Sequence, residues 1–262
     1  MSGLLRARPA TTEAMLAAFS DAATLRHALA FEAELAKAEA AEGLISAEAA
    51  EAIATLCASI AIDSAELAEE AALAGTLAIP LVARLRGALD GEAAKALHKG
   101  ATSQDVADTV LVCQIRAASA LLDRDLTRIT AALTVLARRH AATPAIGRTL
   151  LQDALPIGFG LRIAHWQVGI AEAANRLRRE VEAGATLQFG GAAGSRAGLG
   201  SKAAAISARL ATALRLPDTP PWHARRGSIA GIAAALAIVI GALGKMARDV
   251  SLLAQNGIAE AR

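Results

Sequence analysis

Apolar residues recur in this chain at helical spacing, first in short runs and then in long ones. Asp21, Ser46 and Asp63 each stand before an apolar-periodic run, as helix N-cap residues do, and Gly43 and Pro80 interrupt the pattern. The expected helices lie near 21–42, 46–60, 63–74 and 81–89. In the first of them Glu32, Glu34, Lys37 and Glu39 read as a solvated face.

From Thr102 the rhythm changes to alternating steps of four and three, the spacing of long helices packed side by side. One segment carries Leu122, Leu126, Ile129, Leu133 and Leu136, and a second carries Phe159, Ile163, Trp166, Ile170, Leu177 and Val181. A third has two seams, Ile229, Leu236, Leu243 and Val250 beside Ile232, Val239, Met246 and Leu253. Ile238 and Ile240 add apolar surface outside those seams, so this helix is expected to meet neighbours on several sides, some from another subunit. With no glycine cap or proline stop recognised, it is expected to run to Arg262.

Composition agrees with helices. Hydrophobic residues make up 54% of the 262 positions but aromatics only 2%, so the apolar content is mainly Ala, Leu and Ile, and Ala and Leu are strong helix formers. With 27 basic and 25 acidic residues, a net charge of +2 gives no footprint for nucleic acid. Cys57 and Cys113 stand apart and belong to no metal-ligand pattern, which fits a reducing cytoplasm and no metal. The uncharged run Ser228–Gly244 falls short of the roughly 20 residues a membrane span needs, and is read as the centre of a bundle.

Three stretches carry candidate chemistry. HKGATSQDVADTV, from His98, opens the first long helix: Thr102 and Asp105 have the spacing of a capping box. The same geometry makes a carboxylate seat, because a helix start presents free N–H groups and a positive dipole end, to which Thr102 and Ser103 add hydroxyls. Gly100 allows close backbone approach, and His98 supplies a proton or a charge near neutral pH. GRTLLQDALP, from Gly147, gathers Arg148, Thr149 and Gln152 in a connection, and LQFGGAAGS, from Leu187, has glycines where a tight turn must pass close to something. Taken singly, the first reads more readily as a plain helix start and the other two as structural turns, and no strand or GxGxxG order supports a dinucleotide loop.

In this order, on these helices, the stretches resemble the fumarase/aspartase superfamily from about Phe19 to Arg262. HKGATSQDVADT is similar to its first signature and GRTLLQDALP to its second. The resemblance implies an all-α protein: a small N-terminal helical domain over 1–95, then an incomplete central bundle of long helices over 96–262. It further implies a homotetramer whose sites are shared between subunits, a small polycarboxylate substrate and no cofactor. LQFGGAAGS, the PWH triplet at Pro221–His223 with Arg226, and GKMARDVSLL from Gly244 resemble the lactone-forming cycloisomerase branch. Gly227 stands where an acid is usual and Arg225 where an amide is common.

The resemblance also implies roles. His98 and Ser103 are the expected catalytic residues, and Thr102, Gln104, Arg148, Thr149, Gln152 and Arg226 the expected substrate-binding ones. Arg148, Thr149 and Gln152 would come from another subunit, Asp105 would brace the loop, and His27, His140 and His165 are read as surface or bundle histidines. Superfamily lyases that expel an amine or hydroxide generally carry His where this chain has Leu150. A cycloisomerase has less need of it, because in reverse its leaving group is a carboxylate, stable at neutral pH with a reference pKa of about 4. The third signature loop, with its Ser and Lys, would follow Arg262, so these 262 residues are expected to be a truncated product or fragment that turns over nothing alone. Another superfamily lyase, such as adenylosuccinate lyase, and a helical oligomerisation module without activity are the alternatives.

Overall fold

The computed structural model describes residues 4–261. They form α1 (Leu4–Ala7), α2 (Glu13–Ala18), α3 (Asp21–Ala41), α4 (Ala47–Ser59), α5 (Ser64–Ala74), α6 (Ala78–Gly87), α7 (Gly91–Ala96) and α8 (Ser103–Arg139). Strands β1 (Pro144–Thr149) and β2 (Gln152–Gly158) follow, then α9 (Phe159–Gly184), a 3-10 segment (Ala197–Lys202), α10 (Ala203–Ala213) and α11 (Gly227–Leu253). The fold is mostly helical, as expected. By packing it divides into two units: residues up to Ala118 with Ala185–Arg226, and Ser119–Gly184 with Gly227 onward. The first half of α8 and the segment after α9 therefore pack with the N-terminal helices, a different division from the expected boundary at 95.

In the first unit the short helices start where hydroxyls and carboxylates can cap them. Ser46 Oγ accepts from Ala49 N–H at 3.2 Å, and Asp63 Oδ1 accepts from Ala65 N–H at 2.7 Å. For α3 the cap is Ser20, whose Oγ accepts from Ala23 N–H at 3.2 Å. Asp21, expected as the cap, sits in the first turn, where a negative charge meets the positive end of the helix. Helix α6 begins at Ala78 rather than 81 because Pro80 occupies its first turn, where its missing N–H breaks no helical bond.

The solvated face expected on α3 is half wrong. Glu34 and Lys37 pair at 2.8 Å on the outer side, but Glu32 and Glu39 are buried at 1% and 0% exposure. They fall on the stripe of Ala28, Phe31, Leu35 and Ala36, which a spacing of seven residues repeats after about two turns. Neither Glu39 oxygen has a hydrogen-bond partner among the described residues.

In the second unit most positions of the expected seams form one core, Ile229 and Ile232 lying outside it. Leu126 and Leu133 of α8, Ile163, Trp166, Ile170 and Leu177 of α9, and Val239 and Leu253 of α11 are buried together, with Leu122, Ile129, Phe159, Val181, Leu236, Leu243 and Met246 packed against them. Trp166 donates its Nε1–H to Asp249 at 2.7 Å. Leu136 and Val250 lie at the edge, 41% and 42% exposed, and Ile238 and Ile240 are exposed on the outer side of α11. Among the described residues α11 is the one helix long and apolar enough to cross a membrane.

Two expectations are corrected here. GRTLLQDALP is a β-hairpin rather than a plain connection, pairing Pro144 with Gly158 and Thr149 with Gln152. Its two-residue tip is Leu150–Leu151, at φ +48° and +62°, a turn normally announced by Asn-Gly. Helix α11 stops at Leu253, where the chain turns back and Glu260 N–H donates to the Leu253 carbonyl at 2.9 Å. Asn256–Gly257, with Gly257 at φ +89°, supplies the turn the sequence reading overlooked.

Glu39 sets a pH dependence. Burial above all, with Glu32 adding and Lys99 opposing, pushes its carboxyl up to about 8. The native state therefore holds a proton that the unfolded chain releases above about 4.5, so this group lowers stability progressively as pH rises from there to about 8. Glu39→Gln is expected to raise the unfolding free energy by a few kcal/mol at pH 8, an order-of-magnitude figure, with the gain shrinking toward pH 5. Denaturant titrations at the two pH values read it directly.

Candidate functional site

The loop between α7 and α8 is held at one point. Asp105, two residues into α8 and fully buried, accepts Thr102 N–H at 3.0 Å, Gly191 N–H at 2.8 Å, and Gly190 N–H and Gln188 Nε2–H at 2.9 Å each. Four donors converging on two oxygens suit a carboxylate, which accepts and does not donate. One bond closes the backbone half of the expected capping box, and three tie the helix start to the glycine loop.

That glycine loop passes as close as its composition suggested. A Cβ on Gly191, at φ +68°, would lie 2.6 Å from the Gly100 carbonyl, and one on Gly100, at φ +72°, 2.4 Å from a Leu199 methyl. Gln188, buried inside, also accepts Trp222 N–H at 2.6 Å through Oε1, while its backbone carbonyl accepts the Thr109 hydroxyl at 2.9 Å. Trp222 in turn donates Nε1–H to the Leu187 carbonyl at 3.0 Å. The PWH triplet and LQFGGAAGS are therefore one hydrogen-bonded assembly around the start of α8.

The expected residues of the first unit distribute around this assembly. Thr102 and Ser103 are half-buried at the α8 N-terminus, and their hydroxyls have no partner among the described residues. Exposed Gln104 donates to Asp108 at 3.3 Å and to the His223 carbonyl at 3.2 Å. Arg226 forms a two-pronged pair with Asp108, at 2.6 and 3.0 Å, and lies 5.0 Å over the Trp222 ring. Its guanidinium is held by protein yet remains 43% exposed. His98 stands in the loop at φ +62° with Nδ1 2.7 Å from Glu32 Oε1.

Arg148, Thr149 and Gln152 belong to the hairpin of the second unit. Arg148 donates to Glu260 at 2.8 Å and approaches Asp153 at 3.4 Å, while Arg162 donates to the other Glu260 oxygen at 2.9 Å. The Arg148 hydrogen bond first, then Arg162, holds the Glu260 carboxyl below its usual range against the opposing effect of desolvation. Thr149 and Gln152 flank the tip, and Leu150 is 94% exposed. Among the described residues no group of three or more His, Cys, Asp or Glu is placed to hold a metal ion.

Sequence reasoning missed Glu32, Asp108 and Gln188. Glu32 was legible from its place on the apolar stripe of α3; Asp108 shared a helix face with Gln104 at a spacing of four; nothing local marked Gln188.

Comparison with known proteins follows the same residues. A family model described as Lyase matches residues 7–261, and the chain belongs to that family. The 3-carboxy-cis,cis-muconate cycloisomerase of Bradyrhizobium diazoefficiens is 49% identical over 96% of this chain and 56% of that protein. The protein of the same name from Pseudomonas aeruginosa is 44% identical over 94% of this chain and 54% of its own length. The crystal structure of 3-carboxy-cis,cis-muconate lactonizing enzyme from Pseudomonas putida matches with a TM-score of 0.93 and 41% identity, over 98% of this chain and 59% of that one. The resemblance read from the signature stretches is borne out, and the chain spans a little over half the length of these relatives.

Removing the Asp105 carboxylate strands four donors, three of them buried. Asp105→Ala is expected to destabilise the protein by about 3–5 kcal/mol, the range for breaking a buried charge-assisted network. Amide hydrogen exchange at Gly190 and Gly191 should accelerate more than exchange in α10, which none of these bonds reaches.

Proposed function

We propose that the gene product carrying this sequence is a 3-carboxy-cis,cis-muconate cycloisomerase, acting in the protocatechuate branch of aromatic catabolism as a cytoplasmic homotetramer. One substrate carboxylate adds to the conjugated double bond: a C–O bond forms, the π pair moves to the adjacent carbon, and negative charge spreads onto a neighbouring carboxylate as an enediolate. A proton then joins that carbon and the lactone is complete. The reverse reaction removes the proton and releases the carboxylate, which needs no protonation to leave.

The observation that carries this reading is the α8 N-terminus, where the Thr102 and Ser103 hydroxyls have no internal partner while Asp105 is wholly occupied by the glycine loop. Donors fixed before substrate arrives stabilise developing charge without having to reorganise. Asp105 keeps them fixed and so is a brace. His98 and Ser103 are assigned to catalysis, Thr102, Gln104 and Arg226 to carboxylate binding, and Arg148, Thr149 and Gln152 to the site of another subunit. Leu150 at the hairpin tip argues against ammonia or water elimination, because an aliphatic side chain can neither protonate nor orient a departing base.

The complete gene product, assayed by ultraviolet absorbance, is expected to consume 3-carboxy-cis,cis-muconate and leave adenylosuccinate untouched. His98→Ala and Ser103→Ala should each lower kcat/KM by about 100-fold or more, the usual scale for a positioned acid–base group or oxyanion donor. Leu150→His should bring no gain. Turnover of adenylosuccinate alone would move the protein to another branch, and a folded tetramer inert to both would mark a scaffold.

A further inference from the structure

Helix α3 carries two fully buried carboxyls, and among the described residues three of their four oxygens have no partner: Glu32 Oε2 and both oxygens of Glu39. The fourth, Glu32 Oε1, lies 2.7 Å from His98 Nδ1. Around them stand Lys99, whose Nζ donates to the Leu44 carbonyl at 3.4 Å, and Cys57 of α4, whose thiol burial and then Glu32 push up to about 12. Two ionised carboxylates buried on the same stripe of one helix would repel each other. Glu39, pushed up to about 8 chiefly by burial, holds its proton at neutral pH.

The contact does more than fill space. A hydrophobic core gains nothing from a carboxylate that an apolar side chain of similar size would not supply, yet Glu32 makes its one hydrogen bond among the described residues to a ring set in the loop before α8. That ring is 15% exposed, and its Nε2 has no partner among the described residues.

Building on the assignment of His98 to the site, we propose that Glu32 is the positioning residue for His98: its carboxylate accepts the Nδ1–H and so fixes the ring with Nε2 as its working atom. The hydrogen on Nδ1 stays in both charge states of the ring. Contact with a substrate carboxylate is then confined to Nε2. Without Glu32 the neutral ring would be free to place its hydrogen on either nitrogen.

The direct test is the solid-state 15N spectrum of the complete gene product labelled at histidine, with His98 assigned as the signal lost in His98→Gln. A protonated, hydrogen-bonded Nδ1 in the wild type, with its signal shifted or redistributed in Glu32→Gln, is expected. A neutral ring with bare Nδ1 in the wild type overturns the proposal, and that spectrum needs no variant at position 32. Kinetics supply the second measurement: Glu32→Gln should lower kcat at least 10-fold with little change in KM, and should have no further effect in a His98→Ala background. Equal losses in both backgrounds would mean that Glu32 serves the fold alone, which overturns it. If His98→Ala leaves turnover intact, the assignment of His98 to the site fails, while the nitrogen spectrum still decides whether Glu32 holds the ring.

Discussion

The first unit depends on one buried carboxylate. Asp105 accepts four N–H groups from three places in the chain: the residue before its own helix, a side chain 83 residues on, and two backbone amides of the glycine loop. Neither partner segment could be buried there otherwise, because amides removed from water without acceptors are strongly disfavoured. The glycines answer the same constraint from the other side, since a Cβ at Gly191 would collide with the Gly100 carbonyl. Loop, helix start and PWH segment are held as one polar assembly, and the hydroxyls of Thr102 and Ser103 are left over at its edge.

A division of labour among acidic residues follows. Asp105 is saturated by donors, Asp108 holds Arg226 and Gln104, and Glu32 faces His98. Each carboxyl fixes a neighbour rather than presenting itself, which suits the polycarboxylate substrate proposed above, since a free acid would repel it. In the second unit Glu260 does the same for Arg148 and Arg162, so the turn after α11 orients the hairpin's candidate binding residue.

The second unit shows a different economy of forces. Its core is aliphatic, built from seam positions of α8, α9 and α11, with Trp166 satisfied by Asp249 at one side. The outer side of α11 keeps Ile238 and Ile240 exposed, and the hairpin tip keeps Leu150 and Leu151 in solvent. Apolar surface of that kind on long helices accords with the proposed homotetramer.

The long helices were legible because their seams repeat every three to four residues, and a local repeat needs no knowledge of what lies opposite. The caps at Ser46 and Asp63, and the signature stretch opening α8, were legible for the same reason. What the sequence hid was set by partners far along the chain. Glu32 and Glu39 look solvated until the stripe they share with Phe31 and Leu35 is seen to face the core, and the leucine-tipped hairpin lacks the residues that usually announce one. Asp105 could be read as a cap from its three-residue spacing to Thr102. That it also gathers Gln188, Gly190 and Gly191 is decided by tertiary structure alone, because a buried carboxylate takes whatever donors the fold delivers to it, at any separation in sequence.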